Sequence, residues 1–301
     1  MDTLCFTSKV NNGTSVAIGK FDSIHLGHTR LIKKAVEYAN NNGFISVVYT
    51  VKPETAKAVC ADDAMRISIL KNLGVDMLCS DVLNNDYAKQ SPEDFVKNIL
   101  IDKLNAKFVA VGYNFKFGCN RMGDAKMLKR LLAQNGVECE IIDCVCTEKG
   151  DEPISTTRIK ELLDLGEVNK IIDFLGRPYC VSGVVKSGKK LGNTIGFPTA
   201  NLFWNEASIM PKCGVYLTRV FGDFGTCYGI TNIGKNPTVS NTDVIKAETH
   251  IIDFNENVYG KKIALEFLKR IRNEKKFESI DALKAQLAED LQCAKLYIDK
   301  I

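Results

Sequence analysis

Long hydrophobic runs are missing from this chain. None of its stretches approaches the roughly 18 consecutive apolar residues that a membrane-spanning helix needs. Strong charge of one sign is missing too: the formal net charge is only +4, too weak to point to a nucleic-acid partner. The opening residues, MDTLCFTSKVNNG, lack the charged-then-apolar layout of a secretory signal, and the expected location is the cytoplasm. There are eleven cysteines but no CxxC pair, the closest spacing being Cys144-Val145-Cys146. An odd, scattered set argues against a disulfide framework or a zinc site and for buried reduced thiols. Internal repeats and low-complexity segments are absent. Histidine is scarce, with three in 301 residues, yet two of them, His25 and His28, stand three positions apart.

What is present is an ordinary globular composition, 45% hydrophobic and 25% charged, at a length that suits two domains of about 150 residues. The two halves differ in pattern. Up to about residue 173, short β-branched runs (Val16–Ile18, Phe44–Tyr49, Asp76–Cys79, Phe108–Val111, Cys139–Val145) alternate with helical periodicity near 28–42, 62–73, 91–104 and 124–135. Gly43, Gly74 and Gly136 fall where helices stop. This alternation predicts an α/β fold, a parallel sheet covered on both faces, with ligands at the carboxyl ends of its strands. From about residue 178 short strands follow one another: Tyr179–Val185, Thr199–Phe203, Val215–Phe221, Thr226–Ile233, Val244–Phe254 and Ile263–Ile271. They predict a small antiparallel β-barrel. A closing helix follows, capped by Ser279, whose stripe of Ile280, Leu283, Leu287, Leu291, Ala294 and Ile298 reads as core packing. The boundary falls in FLGRPY, 174–179, giving domains 1–175 and 176–301.

The segment GKFDSIHLGH, 19–28, lies where a strand enters a helix. His25 and His28 share a face of the first helical turn, beside free N–H groups and the partial positive charge of the helix end. That combination suits a triphosphate at its point of cleavage. The plain alternative is a helix capped by Asp22 or Ser23 with two ordinary histidines. ISTTR, 154–158, opens a second helix with Ser155, Thr156, Thr157 and Arg158. Alone it reads as a well-capped surface helix; beside the histidine loop it is a candidate phosphate clamp. GYNFKFG, 112–118, follows the fourth strand of the pattern and belongs to the same sheet edge as the histidine loop.

In the second half, GKKLGNTIGFPTANL (188–202) carries Gly188, Gly192 and Gly196 before a strand. Glycines let backbone N–H groups approach phosphate closely. Thr199 and Asn201 are two apart and share a strand face, where a hydroxyl and an amide oxygen can share a magnesium ion. Taken alone, the stretch is equally a Gly-rich turn beside a strand edge. In KAETHI, Lys246, Glu248 and His250 alternate with Ala247, Thr249 and Ile251; by periodicity Glu248 belongs to a solvated face, and His250 reads as structural.

The 19–28 segment together with ISTTR resembles the nucleotidyltransferases with an HxGH signature. PTAN, NPTV and ETHIIDF…YG, in that order, resemble the riboflavin kinase module over about 176–301. Along nearly the whole chain the motif order is similar to the prokaryotic bifunctional riboflavin kinase/FAD synthetase family. The resemblance implies a Rossmann-like nucleotidyltransferase (FMN adenylyltransferase) domain followed by a riboflavin kinase barrel, with riboflavin, FMN and ATP as substrates and Mg2+ as cofactor. It implies that His25 and His28 stabilise charge on the phosphates during adenylyl transfer. Gly19, Phe21, Asp22, Gly27, Asn114, Ser155, Thr157 and Arg158 would bind nucleotide and phosphate, with Arg121 either a further contact or a surface charge. In the barrel it implies Glu248 as general base, Thr199 and Asn201 at the metal, Gly188 and Gly192 over the phosphates, and Arg272 and Glu274 on the flavin side.

The chain departs from that pattern at several places. Ser23 stands where glycine is usual, Lys20 where asparagine is frequent, Lys116 and Asn193 where arginine is common, and Thr156 where serine is common. YTVKPE, 49–54, replaces a Phe-Glu-Pro-His-Pro-like stretch. The departures near the first site leave a second reading, a riboflavin kinase whose first half is weak or inactive in transfer. A flavin sensor without catalysis leaves Glu248, Thr199 and Asn201 unexplained. A nucleotidyltransferase for another cofactor leaves the barrel unexplained.

Overall fold

The computed structural model describes residues 2–4, 10–52, 57–60, 62–82, 88–148, 150, 152–186, 196–236 and 244–300. The chain divides into two compact units, Met1–Thr156 and Thr157–Ile301.

The first unit is built on parallel strands β1 (Asp2–Leu4), β2 (Thr14–Ile18), β3 (Ile45–Lys52), β4 (Met77–Val82) and β5 (Ala106–Gly112). A short antiparallel pair follows, β6 (Lys116–Phe117) and β7 (Gly123–Asp124), and then β8 (Glu138–Ile142) completes the sheet. Its order is β1-β4-β3-β2-β5-β8. Consecutive sheet residues point to opposite faces, and both faces are apolar. Ala17, Val48, Leu78, Phe108 and Ala110 face one layer, made by α1 (Leu26–Asn42) and α2 (Asp63–Asn72). Val16, Ile18, Val47, Tyr49, Val109 and Val111 face the other. That layer holds α3 (Pro92–Asp94), its π-helical continuation Phe95–Lys103, and α4 (Ala125–Ala133). The helix expected over 91–104 is therefore present but wound more widely. Phe95, Ile99, Leu100 and Leu104 are all buried, and the Leu104 amide donates to the Ile99 carbonyl five residues back at 3.0 Å. The last strand stops at Ile142, short of the expected 145, leaving Cys144 and Cys146 exposed and Cys146 in a single bridge with Pro153.

The second unit begins with α5 (Thr156–Leu165, its first residue closing the first unit) and α6 (Ile172–Leu175). It continues with β9 (Tyr179–Lys186), β10 (Ala200–Trp204), β11 (Gly214–Gly222), β12 (Gly225–Asn236), β13 (Val244–Ile251) and β14 (Lys262–Arg272), and ends in α7 (Ile280–Ile298). The strands close into an antiparallel barrel in the order β10-β13-β12-β11-β14-β9. The end of α5 is tied to the chain leading into β11: the Lys212 amide donates to the Leu163 carbonyl at 2.9 Å.

Inside the barrel, Tyr179, Val181, Tyr216, Val220, Ala247, Leu265 and Phe267 are buried, and among them lie three fully buried hydroxyls, Thr218, Thr231 and Thr249. A hydroxyl in such a place is costly unless bonded, and these form one chain. Thr218 donates to the Gly229 carbonyl at 3.2 Å, which leaves Thr231 to donate to Thr218 at 2.8 Å and Thr249 to Thr231 at 2.9 Å.

On the outside, Val215, Leu217 and Ile230 meet Leu291, Ala294 and Ile298 of α7. The expected apolar stripe of α7 thus packs in its C-terminal half, whereas Ile280 remains 56% exposed. Asp290, 1% exposed, fixes the helix: it accepts from Arg272 Nε at 2.8 Å and Nη2 at 2.8 Å. Among the described residues no helix is long and apolar enough to cross a membrane. Of the ten described cysteines only Cys60 and Cys79 are buried, so most of the expected burial is not found.

Candidate active sites

In the α/β unit the strand order reverses between β2 and β5, the crevice where open parallel sheets bind ligands. Ile18 pairs with Val111, so the chain leaves β2 at Gly19 beside Gly112, the last residue of β5. The chain after β2 cannot run straight into α1, because Phe21 (φ 44°) and Ile24 (φ 45°) both take the left-handed conformation that bulky side chains avoid. Burial holds them there, since neither side chain has any exposed surface. Gly19 makes room for this: a Cβ there would come within 3.0 Å of the Phe21 ring.

The turn delivers His25 to the N-cap of α1, a position the sequence suggested for Asp22 or Ser23. His25 Nδ1 accepts from the His28 amide at 3.2 Å. In the neutral ring the proton is then on Nε2, the form that donates to a phosphate oxygen. His28 stacks on His25, centroids 3.7 Å apart and rings 10° from parallel, and meets the Phe21 ring edge-on at 5.1 Å. Gly27 permits the stack, because a Cβ would sit 3.1 Å from the His25 ring. His28 Nδ1 is buried without a hydrogen-bond partner. Burial first, and the neighbouring His25 second, hold the His28 pKa well below the ordinary 6.5. The pair is a closely packed donor site at the positive end of a 17-residue helix.

Thr156 joins the two motifs of this half. Its hydroxyl donates to Asp22 Oδ1 at 3.1 Å, so the 2.9 Å contact with Ser23 is one in which Ser23 donates to Thr156. Ser23 is fully buried, and its hydroxyl is engaged with Thr156. The Cys60 amide holds the Asp22 carbonyl at 2.7 Å. Ser155 lies in the same unit; Thr157 and Arg158 open α5, where Arg158 Nη1 pairs with Glu161 at 3.1 Å. Asn114 is exposed in the turn after β5, and Arg121 is exposed as well, with φ 59°. Exposed Tyr113, beside Asn114, has its hydroxyl pKa raised by a hydrogen bond with the Cys144 thiol.

In the barrel unit, register brings the candidate residues together. Asn201 of β10 stands opposite Glu248 of β13, and Glu248 opposite Asn232 of β12. Directly paired residues share a face, so these three form a row on the outer surface, each half-buried. Thr199 is half-buried just before β10, two residues from Asn201. Gly234 leaves room for Glu274: a Cβ there would collide with the Glu274 carboxylate and stand 3.3 Å from Asn232 Nδ2. Oxygen donors of an amide, a hydroxyl and a carboxylate thus gather on one patch. They fit a hard cation shared with phosphate oxygens, whereas among the described residues no cluster of three His, Cys, Asp or Glu could hold a metal alone.

The family model described as FAD synthetase matches residues 7–158, and that described as Riboflavin kinase matches residues 175–298. A "Bifunctional riboflavin kinase/FMN adenylyltransferase" of Haemophilus influenzae is 32% identical over 301 residues, 97% of this chain and 96% of that protein. The chain belongs to the bifunctional riboflavin kinase/FMN adenylyltransferase family. A relative of the same name from Bacillus subtilis is 32% identical over 95% of this chain and 93% of its own length. Among solved structures, one titled "Crystal Structure of Macrolide-efflux Protein from Streptococcus pneumoniae" superposes with a TM-score of 0.85 at 31% identity, covering 97% of this chain and 99% of its own. The two share their fold from end to end.

Within this riboflavin kinase/FMN adenylyltransferase chain, the structure assembles Gly19, Phe21, Asp22, His25, Gly27 and His28 in one loop and helix end, and Asn201 and Glu248 in one cross-strand pair. Arg272 spends its guanidinium on Asp290 and on the Asn273 carbonyl, while Glu274 reaches back towards Asn232. Gly188 and Gly192 lie outside the described residues, as do Pro53 and Glu54 of the divergent 49–54 stretch. Two contacts escaped the sequence reading. Thr156 was visible as a cap and as part of a candidate phosphate clamp but not as the link to Asp22 and Ser23, and Asn232, in ITNIGKN, carries no local signal at all because its partner is set by strand register.

Proposed function

We propose that the chain makes FMN and then FAD, residues 176–301 phosphorylating riboflavin and residues 1–175 adenylylating FMN. Family membership supports both steps, and the observation that carries the kinase half is the pairing of Glu248 with Asn201. Glu248 accepts the proton of the ribityl 5′-hydroxyl as its oxygen attacks the γ-phosphorus of ATP and ADP leaves. Thr199 and Asn201 hold Mg2+ and the ATP phosphates, and Asn232 orients the base or the hydroxyl from the other side. The metal, when bound, offsets charge on the phosphate oxygens. Gly188 and Gly192 cover the phosphates, and Glu274 contacts the flavin. Arg272 serves the flavin side through the chain end it anchors.

In the first half, an oxygen of the FMN phosphate attacks the α-phosphorus of ATP and pyrophosphate leaves. No covalent enzyme intermediate is needed. His25 and His28 donate to the phosphates as charge develops, Gly19, Phe21, Asp22 and Gly27 shape the loop around them, and Asn114, Ser155, Thr157 and Arg158 hold the triphosphate. We place the enzyme in the cytoplasm with its supply of ATP.

Chromatography of riboflavin, FMN and FAD after incubation with MgATP tests the reading. FMN should rise and then fall as FAD appears. Glu248→Gln should lower FMN formation by about 10²–10⁴-fold, the usual worth of a general base, while FAD still forms from added FMN. His28→Ala should do the reverse. No conversion by the unaltered protein, or loss of both steps in either variant, would refute the assignment.

A further inference from the structure

Strand pairing ends just where the kinase site needs its backbone fixed. The β10–β13 ladder runs from Leu202↔Ala247 through Asn201↔Glu248 to Ala200↔Thr249, and Thr199 lies one residue beyond it. Thr199 therefore has no ladder partner on β13, although it stands only two residues before Asn201. A side chain takes over. His250 follows Glu248 by two residues and shares its outer face. Its Nδ1 lies 2.9 Å from the carbonyl oxygen of Pro198, the residue before Thr199. A carbonyl only accepts, so Nδ1 carries the proton and donates. The ring also meets Phe197 edge-on, 5.2 Å between centroids. One imidazole thus grips two successive residues immediately before Thr199.

We propose that His250 is a positioning residue for ATP in the kinase site: its Nδ1–H tether to the Pro198 carbonyl extends the β10–β13 pairing and holds the Thr199 hydroxyl beside Asn201 and Glu248. The proposal rests on the kinase reading of the barrel. It assigns His250 no proton transfer, because both the neutral Nδ1–H ring and the imidazolium make the same bond.

Two substitutions separate the tether from simple packing. His250→Phe keeps an aromatic ring against Phe197 and removes the donor. His250→Asn gives up the ring and keeps an N–H donor at the δ position. With the full chain, His250→Phe should raise KM for MgATP in FMN formation by about tenfold, the equivalent of ~1.4 kcal/mol, with KM for riboflavin and FAD formation from added FMN unchanged. His250→Asn should recover MgATP affinity to within about threefold, or roughly 0.7 kcal/mol. Amide hydrogen exchange in 197–201 should quicken in the Phe variant and be restored in the Asn variant. Wild-type KM for MgATP and wild-type exchange in His250→Phe would overturn the proposal, as would a loss that Asn fails to rescue. If the unaltered protein forms no FMN, the kinase reading falls by that result alone. The exchange pattern then still decides whether the tether exists.

Discussion

His28 should make the stability of the α/β unit fall in mild acid, by an amount that can be worked out. Its ring is stacked on His25 at 3.7 Å and its Nδ1 is sealed from water without a partner, so the folded protein resists protonating it. The folded pKa is accordingly well below 6.5, first through burial and then through His25. Unfolded, the ring titrates at its ordinary value. Between the two pKa values the unfolded chain binds more protons, so stability rises with pH there. The contribution is complete above the unfolded pKa and is lost as pH falls through 6.5 towards the folded one. With one proton at stake, lowering the pH from 7.5 to 5.5 should remove about 1.4 kcal/mol. The single tryptophan, Trp204, lies in the barrel, so its fluorescence reports on the other unit. Native-state hydrogen exchange of α1 amides is the suitable assay, comparing the unaltered protein with His28→Gln. The variant should lose that pH dependence. Equal slopes in the two proteins would refute the account of a neutral, desolvated ring. Nucleotide should act in the opposite sense: a triphosphate against the pair raises the His28 pKa, so binding near pH 6 should take up protons, measurable by calorimetry in buffers of different ionisation heat.

Two further outcomes follow from the barrel. Asp290→Ala strands a guanidinium that is only 19% exposed and should cost about 3 kcal/mol, read by urea unfolding followed at Trp204; a change below about 1 kcal/mol would show the pair to be no more than a surface contact. Gly234→Ala should leave the fold in place, since the atom it meets is the end of a flexible side chain, but displace Glu274. KM for riboflavin should then rise about tenfold, or ~1.4 kcal/mol, with KM for MgATP little changed; an unchanged riboflavin KM would remove Glu274 from the flavin side.

Local chemistry was legible in the sequence wherever periodicity, glycine and cap residues act over a few positions. The run Val16–Ile18, the two glycines and the histidine pair announced a strand, a turn and a helix end, and the alternation around Glu248 placed it on the outer face of a strand. The left-handed Phe21 and Ile24 were not legible, because large apolar residues adopt that backbone only when the surrounding core holds them. The π-helical winding of Phe95–Lys103 was hidden for a similar reason, since it answers to the packing of Phe95, Ile99, Leu100 and Leu104 on the sheet. The ion pair of Arg272 was not legible, because its partner, Asp290, lies 18 residues on and in another element. Asn232 shows the general limit: two residues become neighbours through register, which no single segment encodes.

The threonine chain inside the barrel bears on how such an enzyme can change over time. Thr249 sits between Glu248 and His250 and is tied inward through Thr231 to Thr218. A slip of β13 by one residue would drive the Glu248 carboxylate into the interior and break that chain at the same step. Partial misalignment of the site therefore has no cheap intermediate. A lineage that loosens this alignment loses folded protein before it acquires a sloppier kinase, and selection on abundance alone is enough to guard the geometry of the reaction.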